Sequence, residues 1–138
     1  MATALGVGDL VTFLGYLPDP DDEKLPRLYS QSDVFVFPSL MEGFGFVIAE
    51  AMASGVPVVA SNVAAVPEVV GDSGLLFRPG DAAGLARVLR TLAEDPRKRM
   101  EFARRGRERV ESLFTWDKVV ARLVSIYREA IDLAGRRL

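Results

Sequence analysis

The sequence predicts a single α/β domain, in which helices cover both faces of a mostly parallel sheet of about four strands. Short, continuously apolar runs alternate with helical segments, as they do in parallel sheets that are buried on both sides. The length of 138 residues suits one domain, and hydrophobic residues form 49% of the chain, enough for a core. Since no linker divides the chain, we expect one unit, residues 1–138, that ends in helices over about residues 97–138.

The first third of the chain is predicted to contain two strands and one short helix. Residues 10–14, "LVTFL", are typical of a short strand, and a turn rich in proline and aspartate follows them. The stretch "EKLPRLYSQS" places Leu25, Leu28 and Tyr29 at helical spacing, with its proline in the first turn. Residues 33–39, "DVFVFPS", form a continuous apolar run that ends at a proline, which favours a strand buried on both faces.

The middle of the chain continues the alternation of helix and strand. We expect a helix over "GFVIAEAMASG" that stops at Gly55, a buried strand over "VPVVAS", and a loop or short helix over "AAVPEVVG". The stretch "SGLLFRPGD" predicts a strand and then a turn, after which Asp81 is a good N-cap for a helix over "AAGLARVLRTLAED". Three layers of this kind are Rossmann-like.

Two helices are predicted at the C-terminus. Pro96 can open the first, which runs to about Ser112, and Thr115 can cap the second, which runs through Leu133. We expect the apolar stripe of the last helix to be buried. That stripe comprises Val119, Val120, Leu123, Tyr127, Ala130 and Ile131.

The composition excludes several kinds of chemistry. The chain has neither cysteine nor histidine, so Ser-His-Asp and Cys-His catalysis, disulfides and thiolate metal sites are ruled out. The start "MATALGVGDL" lacks a basic segment followed by a long apolar core, and no apolar run approaches the roughly 20 residues that span a bilayer. We therefore expect a soluble, cytoplasmic chain.

Two carboxylates, Glu42 and Glu50, interrupt a stretch that is otherwise apolar or small. They follow the predicted strand "DVFVFPS", and ligands of open α/β sheets bind at the carboxyl ends of the strands. Gly43 and Gly45 permit close backbone approach, and the first amides of the helix that follows favour an anion such as a phosphate. Glu50 lies roughly 7 Å further along the helix axis, where a carboxylate could accept hydrogen bonds from the two hydroxyls of a ribose. A nucleotide-sugar would have a sugar on each side of that phosphate.

Simpler interpretations of both acids remain open. Glu42 could only stabilise a helix N-terminus, by about 0.3–1 kcal/mol, and Glu50 could lie on a solvated helix edge. Against the second interpretation, Ile48, Ala49 and Ala51 surround Glu50 in sequence, and a charge among apolar neighbours is costly unless a partner compensates it.

The stretch "DVFVFPSLMEGFGFVIAEAMASGVPVVASNVAAVPEVVGDSGLLFRPGD" resembles the C-terminal domain of the family-four retaining glycosyltransferases of the GT-B fold, which use nucleotide-sugars. The resemblance extends from about Val11 to Trp116 and on into the final helix. It implies that Glu50 binds the ribose. For the donor sugar it implies Glu42, Gly43, Phe44 and Gly45, for the phosphates Gly45, Phe46 and Val47, and for the border of the nucleobase Gly15, Tyr16 and Leu17. It implies no enzyme nucleophile, cofactor or metal.

The departures from the family pattern concern missing parts. The family's domain normally opens with two further strand-helix units, which carry an arginine and a lysine for the diphosphate, and an N-terminal domain supplies the acceptor site. Ala64 and Ala65 stand where the family commonly has glycines before "PE". Without the two strands, "DVFVFPS" would become an exposed edge. We expect direct pairing of the first two strands, pairing between two chains, or poor folding alone.

The stretch "PRKRMEFARRGRERVES" carries seven basic against three acidic residues. It could be a solvated helix face with Glu-Arg pairs, or it could contact an anionic membrane surface at the inner face of the membrane. A nucleic-acid role is disfavoured by the sequence pI of about 5.2 and by the lack of interleaved aromatic residues.

Three functions remain to be compared. The first is the donor-binding half of a retaining glycosyltransferase, inactive alone and completed by an acceptor domain in the same longer chain or in a separate subunit. The second is a non-catalytic nucleotide-binding or regulatory module that reuses this half-fold. The third, an enzyme such as a nucleotide-sugar epimerase, would need catalytic residues that the sequence does not offer.

Overall fold

The computed structural model describes residues 1–16 and 24–135. Two 3₁₀ turns, Thr3–Leu5 and Gly8–Leu10, precede the regular elements. In chain order these elements are α1 Lys24–Ser30, β1 Phe35–Phe37, α2 Phe46–Ala53, β2 Val58–Ser61, α3 Val66–Val70, β3 Leu75–Phe77, α4 Ala82–Glu94, α5 Pro96–Leu113 and α6 Trp116–Gly135. Every helix and strand predicted after residue 24 is present, and "AAVPEVVG" forms the short helix rather than a loop.

The sheet of the described residues has three parallel strands in the order β1-β2-β3. Phe35 pairs with Val58, and Val59 with Leu75. All four residues of the central strand β2 are buried, as a continuous apolar run in a parallel sheet predicts.

The core lies on both faces of this sheet, which confirms the three-layer prediction. Successive residues of β2 point to opposite sides. Val58 and Ala60 pack with the buried residues of α2 and α3, such as Ile48. Val59 packs on the other face with Leu92 of α4. The central strand and its flanking helices therefore build a core on each face of the sheet.

The strand predicted at residues 10–14 does not form, so the sheet has three strands in the described residues rather than about four. Leu10 ends a 3₁₀ turn, and residues 11–16 have no regular structure. Phe13 is 86% exposed. A lone strand cannot satisfy its backbone groups, and among the residues that the structure describes β1 pairs with β2 alone. Direct pairing of the first two predicted strands was therefore a wrong prediction.

Helix α6 forms as predicted, but the predicted burial of its apolar stripe is wrong. None of its residues is buried, and Leu123 is 44% and Ile131 69% exposed. The periodicity that predicts a helix says nothing about whether a partner surface is present. Among the described residues no element covers the stripe. No helix in residues 1–16 or 24–135 is both long and apolar enough to cross a membrane.

The two long helices before α6 begin with side-chain caps. The N-cap predicted at Asp81 is confirmed, since its carboxylate accepts a hydrogen bond from the Gly84 amide at 2.8 Å. Asp95, just before Pro96, accepts from the amides of Arg97 and Lys98 at 3.0 and 3.1 Å. These bonds to Lys98 and Arg97, together with the Lys98 charge, lower the pKa of Asp95.

Candidate functional site

The site predicted around the two acids lies where the chain leaves β1. Ser61, the last residue of β2, is almost fully buried. Its hydroxyl reaches two carbonyls on the neighbouring segment, those of Phe37 at 3.1 Å and of Ser39. The Ser39 hydroxyl in turn donates to the Met41 carbonyl at 2.6 Å. The end of β2 therefore holds the segment that leads to the first carboxylate.

Helix α2 begins directly after Gly45, where any other residue would strain the backbone. Gly45 has φ 86° and ψ 52°, the left-handed region that favours glycine. A Cβ there would lie 2.9 Å from Cδ1 of Ile48. The first helical donors are the amides of Ile48 and Ala49, which reach the Gly45 carbonyl at 2.9 and 3.4 Å. The amides of Phe46 and Val47 therefore form the first turn of the helix.

The two acids differ in their surroundings. Glu42 is partly buried, and its Oε1 accepts a hydrogen bond from the Gly43 amide at 3.0 Å. Glu50 is exposed on α2, yet its Oε2 accepts a hydrogen bond from the hydroxyl of Tyr29 at 3.3 Å. Thus Glu50 is neither buried without a partner nor a plain solvated helix residue.

Tyr29 contacts the candidate site but was not predicted to do so. From the sequence it was used only as one of the apolar positions that predict helix α1. The side chain is buried, and its ring meets Phe35 edge-on at 5.5 Å between centroids. Burial, the charge of Glu50 and the hydrogen bond to Glu50 together raise the pKa of Tyr29 to about 12. A buried tyrosine hydroxyl needs a polar partner, and this was the signal that could have pointed to Glu50.

Two aromatic rings of the "EGFGF" segment are anchored by the end of α5. Phe44 packs against Phe46 at 4.9 Å and edge-on against Phe114 at 5.6 Å. The guanidinium of Arg109 lies 5.9 Å from the Phe114 ring. It also donates to the carbonyls of Val69 and Glu68 at 2.9 and 2.7 Å. Phe114 and Arg109 therefore connect the "EGFGF" segment and α3 to the C-terminal end of α5.

The residues predicted to border the nucleobase, Gly15, Tyr16 and Leu17, precede this cluster in the sequence. Gly15 has φ 69°, and the Tyr16 ring is exposed. Leu17 lies outside the described residues. Nothing in the geometry tests the role predicted for these three residues.

The basic residues of α5 mostly contact partners within the chain. Arg104 bonds Glu108 at 2.6 Å and Arg107 bonds Glu111 at 2.8 Å, the pairing expected of a solvated helix face. Arg105 contacts Asp72, and this contact is the largest of the effects that lower the pKa of Asp72. These contacts agree with the solvated-face interpretation. In residues 1–16 and 24–135 no group of three or more acidic residues could hold a metal ion.

Comparison with known proteins identifies the family. The family described as "Glycosyl transferases group 1" matches residues 1–95. The chain belongs to this family. O-antigen chain mannosyltransferase B of Escherichia coli is 42% identical over 119 residues, which are 86% of this chain and 30% of that protein.

Solved structures extend the similarity to three dimensions. Sucrose-phosphate synthase from Thermosynechococcus elongatus superimposes with a TM-score of 0.83 and 37% identity, over 96% of this chain and 33% of that protein. The Anabaena protein Alr3699/HepE in complex with UDP gives a TM-score of 0.83 and 30% identity, over 93% and 35% of the two chains. The same Anabaena protein is also known with UDP-glucose.

This group 1 glycosyltransferase chain spans only part of its relatives. It covers 30% of the length of the Escherichia coli relative and 28% of the D-inositol 3-phosphate glycosyltransferase of Salinispora tropica. The resemblance to the C-terminal domain of the GT-B glycosyltransferases is confirmed, and so is the Rossmann-like fold.

Proposed function

We propose that this chain is the donor-binding half of a retaining glycosyltransferase, and that it binds a nucleotide-diphosphate-sugar. The observation that carries the proposal is the arrangement of Glu42 and Glu50 on either side of the α2 N-terminus. This arrangement lies at the carboxyl end of β1, the edge where open α/β sheets bind ligands. The binding of UDP and UDP-glucose by a neighbour of the same fold supports the proposal.

Each part of the site has one task in this proposal. The amides of Phe46 and Val47 face the distal phosphate, since the start of a helix carries partial positive charge. Glu50 accepts hydrogen bonds from the ribose hydroxyls. Glu42 lies beside the donor sugar, where the exposed Gly43 leaves the backbone accessible because it carries no side chain.

The chain itself supplies binding and orientation rather than a nucleophile. Retention would arise from departure of the nucleotide on the face that the acceptor approaches, as the family resemblance implies. Neither histidine nor cysteine is present, and neither acid is given a covalent role. We propose that transfer needs an acceptor-binding domain and cationic groups for the diphosphate, so the chain alone is inactive.

The test is calorimetric titration of the chain with UDP-glucose, GDP-mannose and ADP-glucose. Glu50→Gln should weaken the binding of the preferred donor about tenfold or more, because the variant loses charge-assisted hydrogen bonds to the ribose. Glu94→Gln, which neutralises an exposed acid at the end of α4, is the matched control and should bind like the wild type. Circular dichroism checks that all three proteins are folded.

Three results would change the proposal in different ways. Unaltered donor affinity in Glu50→Gln would remove Glu50 from the ribose role. Failure of the folded wild type to bind any of the three nucleotide-sugars would contradict the donor-half proposal itself. Binding that never leads to transfer, even with an acceptor-domain protein added, would favour the non-catalytic nucleotide-binding module.

A further inference from the structure

Tyr29 connects the hydrophobic core to the proposed ribose ligand. Its ring is packed edge-on against Phe35 of β1, and the side chain is only 8% exposed. Its hydroxyl donates to Oε2 of Glu50, 21 positions away in the sequence. A rigid strand therefore holds the ring, and the ring holds the hydroxyl against a carboxylate on the site surface.

We propose that Tyr29 is a positioning residue, which fixes the Glu50 carboxylate for hydrogen bonding to the two ribose hydroxyls of the donor. The inference rests on the donor-binding function proposed above and deepens it. An ionised carboxylate has about four acceptor positions on two oxygens. Tyr29 occupies one position on Oε2, so Oε1 and the remaining position on Oε2 of this exposed residue are left for a ligand. Two vicinal hydroxyls can then bind one carboxylate.

The advantage of this contact is preorganisation. An exposed glutamate samples several rotamers, and fixing it on ligand binding costs conformational entropy. A hydrogen bond already present in the free protein reduces that cost. In residues 1–16 and 24–135, Glu42 accepts a hydrogen bond from the adjacent Gly43 amide rather than from a distant side chain, so the proposal applies to the ribose end of the ligand and not to the donor sugar.

The alternative is that Glu50 merely satisfies a buried tyrosine hydroxyl, with no bearing on ligands. Both possibilities predict that Tyr29→Phe folds, because phenylalanine keeps the ring and its contact with Phe35. They differ in the ligand dependence. A purely structural tyrosine would affect every nucleotide equally, whereas a positioning tyrosine would matter most where both ribose hydroxyls are present.

The experiment compares UDP, GDP and ADP with their 2′-deoxy counterparts in calorimetric titrations of the wild type and Tyr29→Phe. We expect Tyr29→Phe to weaken binding of the preferred ribonucleotide about three- to tenfold, the range of a typical net hydrogen bond. Binding of the matching 2′-deoxynucleotide should weaken less, so the preference for ribose falls. In a Glu50→Gln background, Tyr29→Phe should have no further effect on affinity.

Each outcome decides the inference. Equal weakening for ribo- and deoxynucleotides, or wild-type affinity in Tyr29→Phe, would overturn the positioning role while leaving the donor-binding proposal intact. If the folded wild type binds none of the nucleotides, the donor-binding proposal fails and this inference fails with it.

A second measurement tests the contact without any nucleotide. Spectrophotometric titration in a Tyr16→Phe, Tyr127→Phe background follows Tyr29 alone, because the chain has three tyrosines. We expect a pKa of about 12. Added Glu50→Gln should bring that pKa down towards the ordinary value without reaching it, since the burial of the ring remains. An unchanged pKa would contradict the contact on which the inference depends.

Discussion

The packed centre of the molecule, residues 46–110, contrasts with its two ends, residues 1–16 and helix α6. Both regions are rich in apolar residues. In the packed centre Ile48, Val59 and Leu92 are completely buried. At the ends Phe13 and Trp116 are 86% and 79% exposed. Apolar composition alone therefore does not decide burial.

A core requires a partner element that covers the apolar side chains, and an apolar pattern alone does not supply one. The buried apolar residues of the packed centre form clusters in which side chains from strands and helices pack together. The apolar side chains of α6 repeat with helical spacing, yet no described element lies across them. Burial of a leucine contributes about 1.5–3 kcal/mol only when a neighbour removes it from water. Stability should consequently be concentrated in the packed centre.

The largest expected effect is that of a leucine truncation made once in each region. Leu92→Ala should lower the free energy of unfolding by about 2–5 kcal/mol, because it leaves a cavity in a fully packed site. Leu123→Ala on α6 should lower it by less than about 1 kcal/mol, since the side chain is already partly in water and alanine favours helix. Urea unfolding followed by circular dichroism measures both. An equal loss in the two variants would show that the α6 stripe is covered in solution.

A smaller effect is expected where a methyl group is added to a glycine with positive φ. Gly71 has φ 56° and ψ −133°, and a Cβ there would lie 2.6 Å from the guanidinium carbon of Arg109. Gly71→Ala should destabilise the chain by about 1–3 kcal/mol through backbone strain and displacement of Arg109. At Gly6, with φ 70°, the added Cβ meets nothing within 4 Å, so Gly6→Ala should cost less in urea unfolding.

The role of Arg109 can be separated from the backbone strain at Gly71. Combining Arg109→Ala with Gly71→Ala should cost less than the sum of the two single changes, because the clash is then absent. Strictly additive losses would mean that the strain lies in the backbone alone.

The elements of the packed centre could be predicted because their signals are local. The glycine before α2, the aspartate N-cap Asp81 and the buried run of β2 each act within a few residues. The strand predicted at residues 10–14 was wrong because a strand depends on a neighbour elsewhere in the chain. The buried stripe of α6 was wrong for the same reason.

The candidate site was predicted only in part, again because local signals were recognised and contacts between distant residues were not. The spacing of Glu42 and Glu50 around the glycines is local, so the sequence indicated both acids. The partners that hold them come from elsewhere: Tyr29 is 21 positions before Glu50, and Ser61 is 22 positions after Ser39. Contacts of this kind depend on how elements far apart in the sequence pack together, which local patterns do not specify.

The smallest expected effect is on the stability of the chain at acid pH. It should arise from an ion pair in the packed centre and not from the acids of α6. The Arg105 charge is the main cause that lowers the pKa of Asp72 in the folded state. A lowered folded pKa means that the ion pair stabilises the protein fully above the unfolded pKa of about 3.9. That contribution is lost as the pH falls through the folded pKa.

Asp72→Asn should therefore lower stability slightly at pH 7 and flatten the loss of stability as the pH falls below about 4. The change is small because the Asp72 side chain is 81% exposed and exposed ion pairs are screened by solvent. Asp132→Asn on α6 neutralises an acid outside the packed centre and is the matched control, so its pH profile should follow the wild type. Urea midpoints measured at half-unit steps of pH give both profiles. An Asp72→Asn profile as steep as that of the wild type would show that the contact with Arg105 contributes nothing to acid stability.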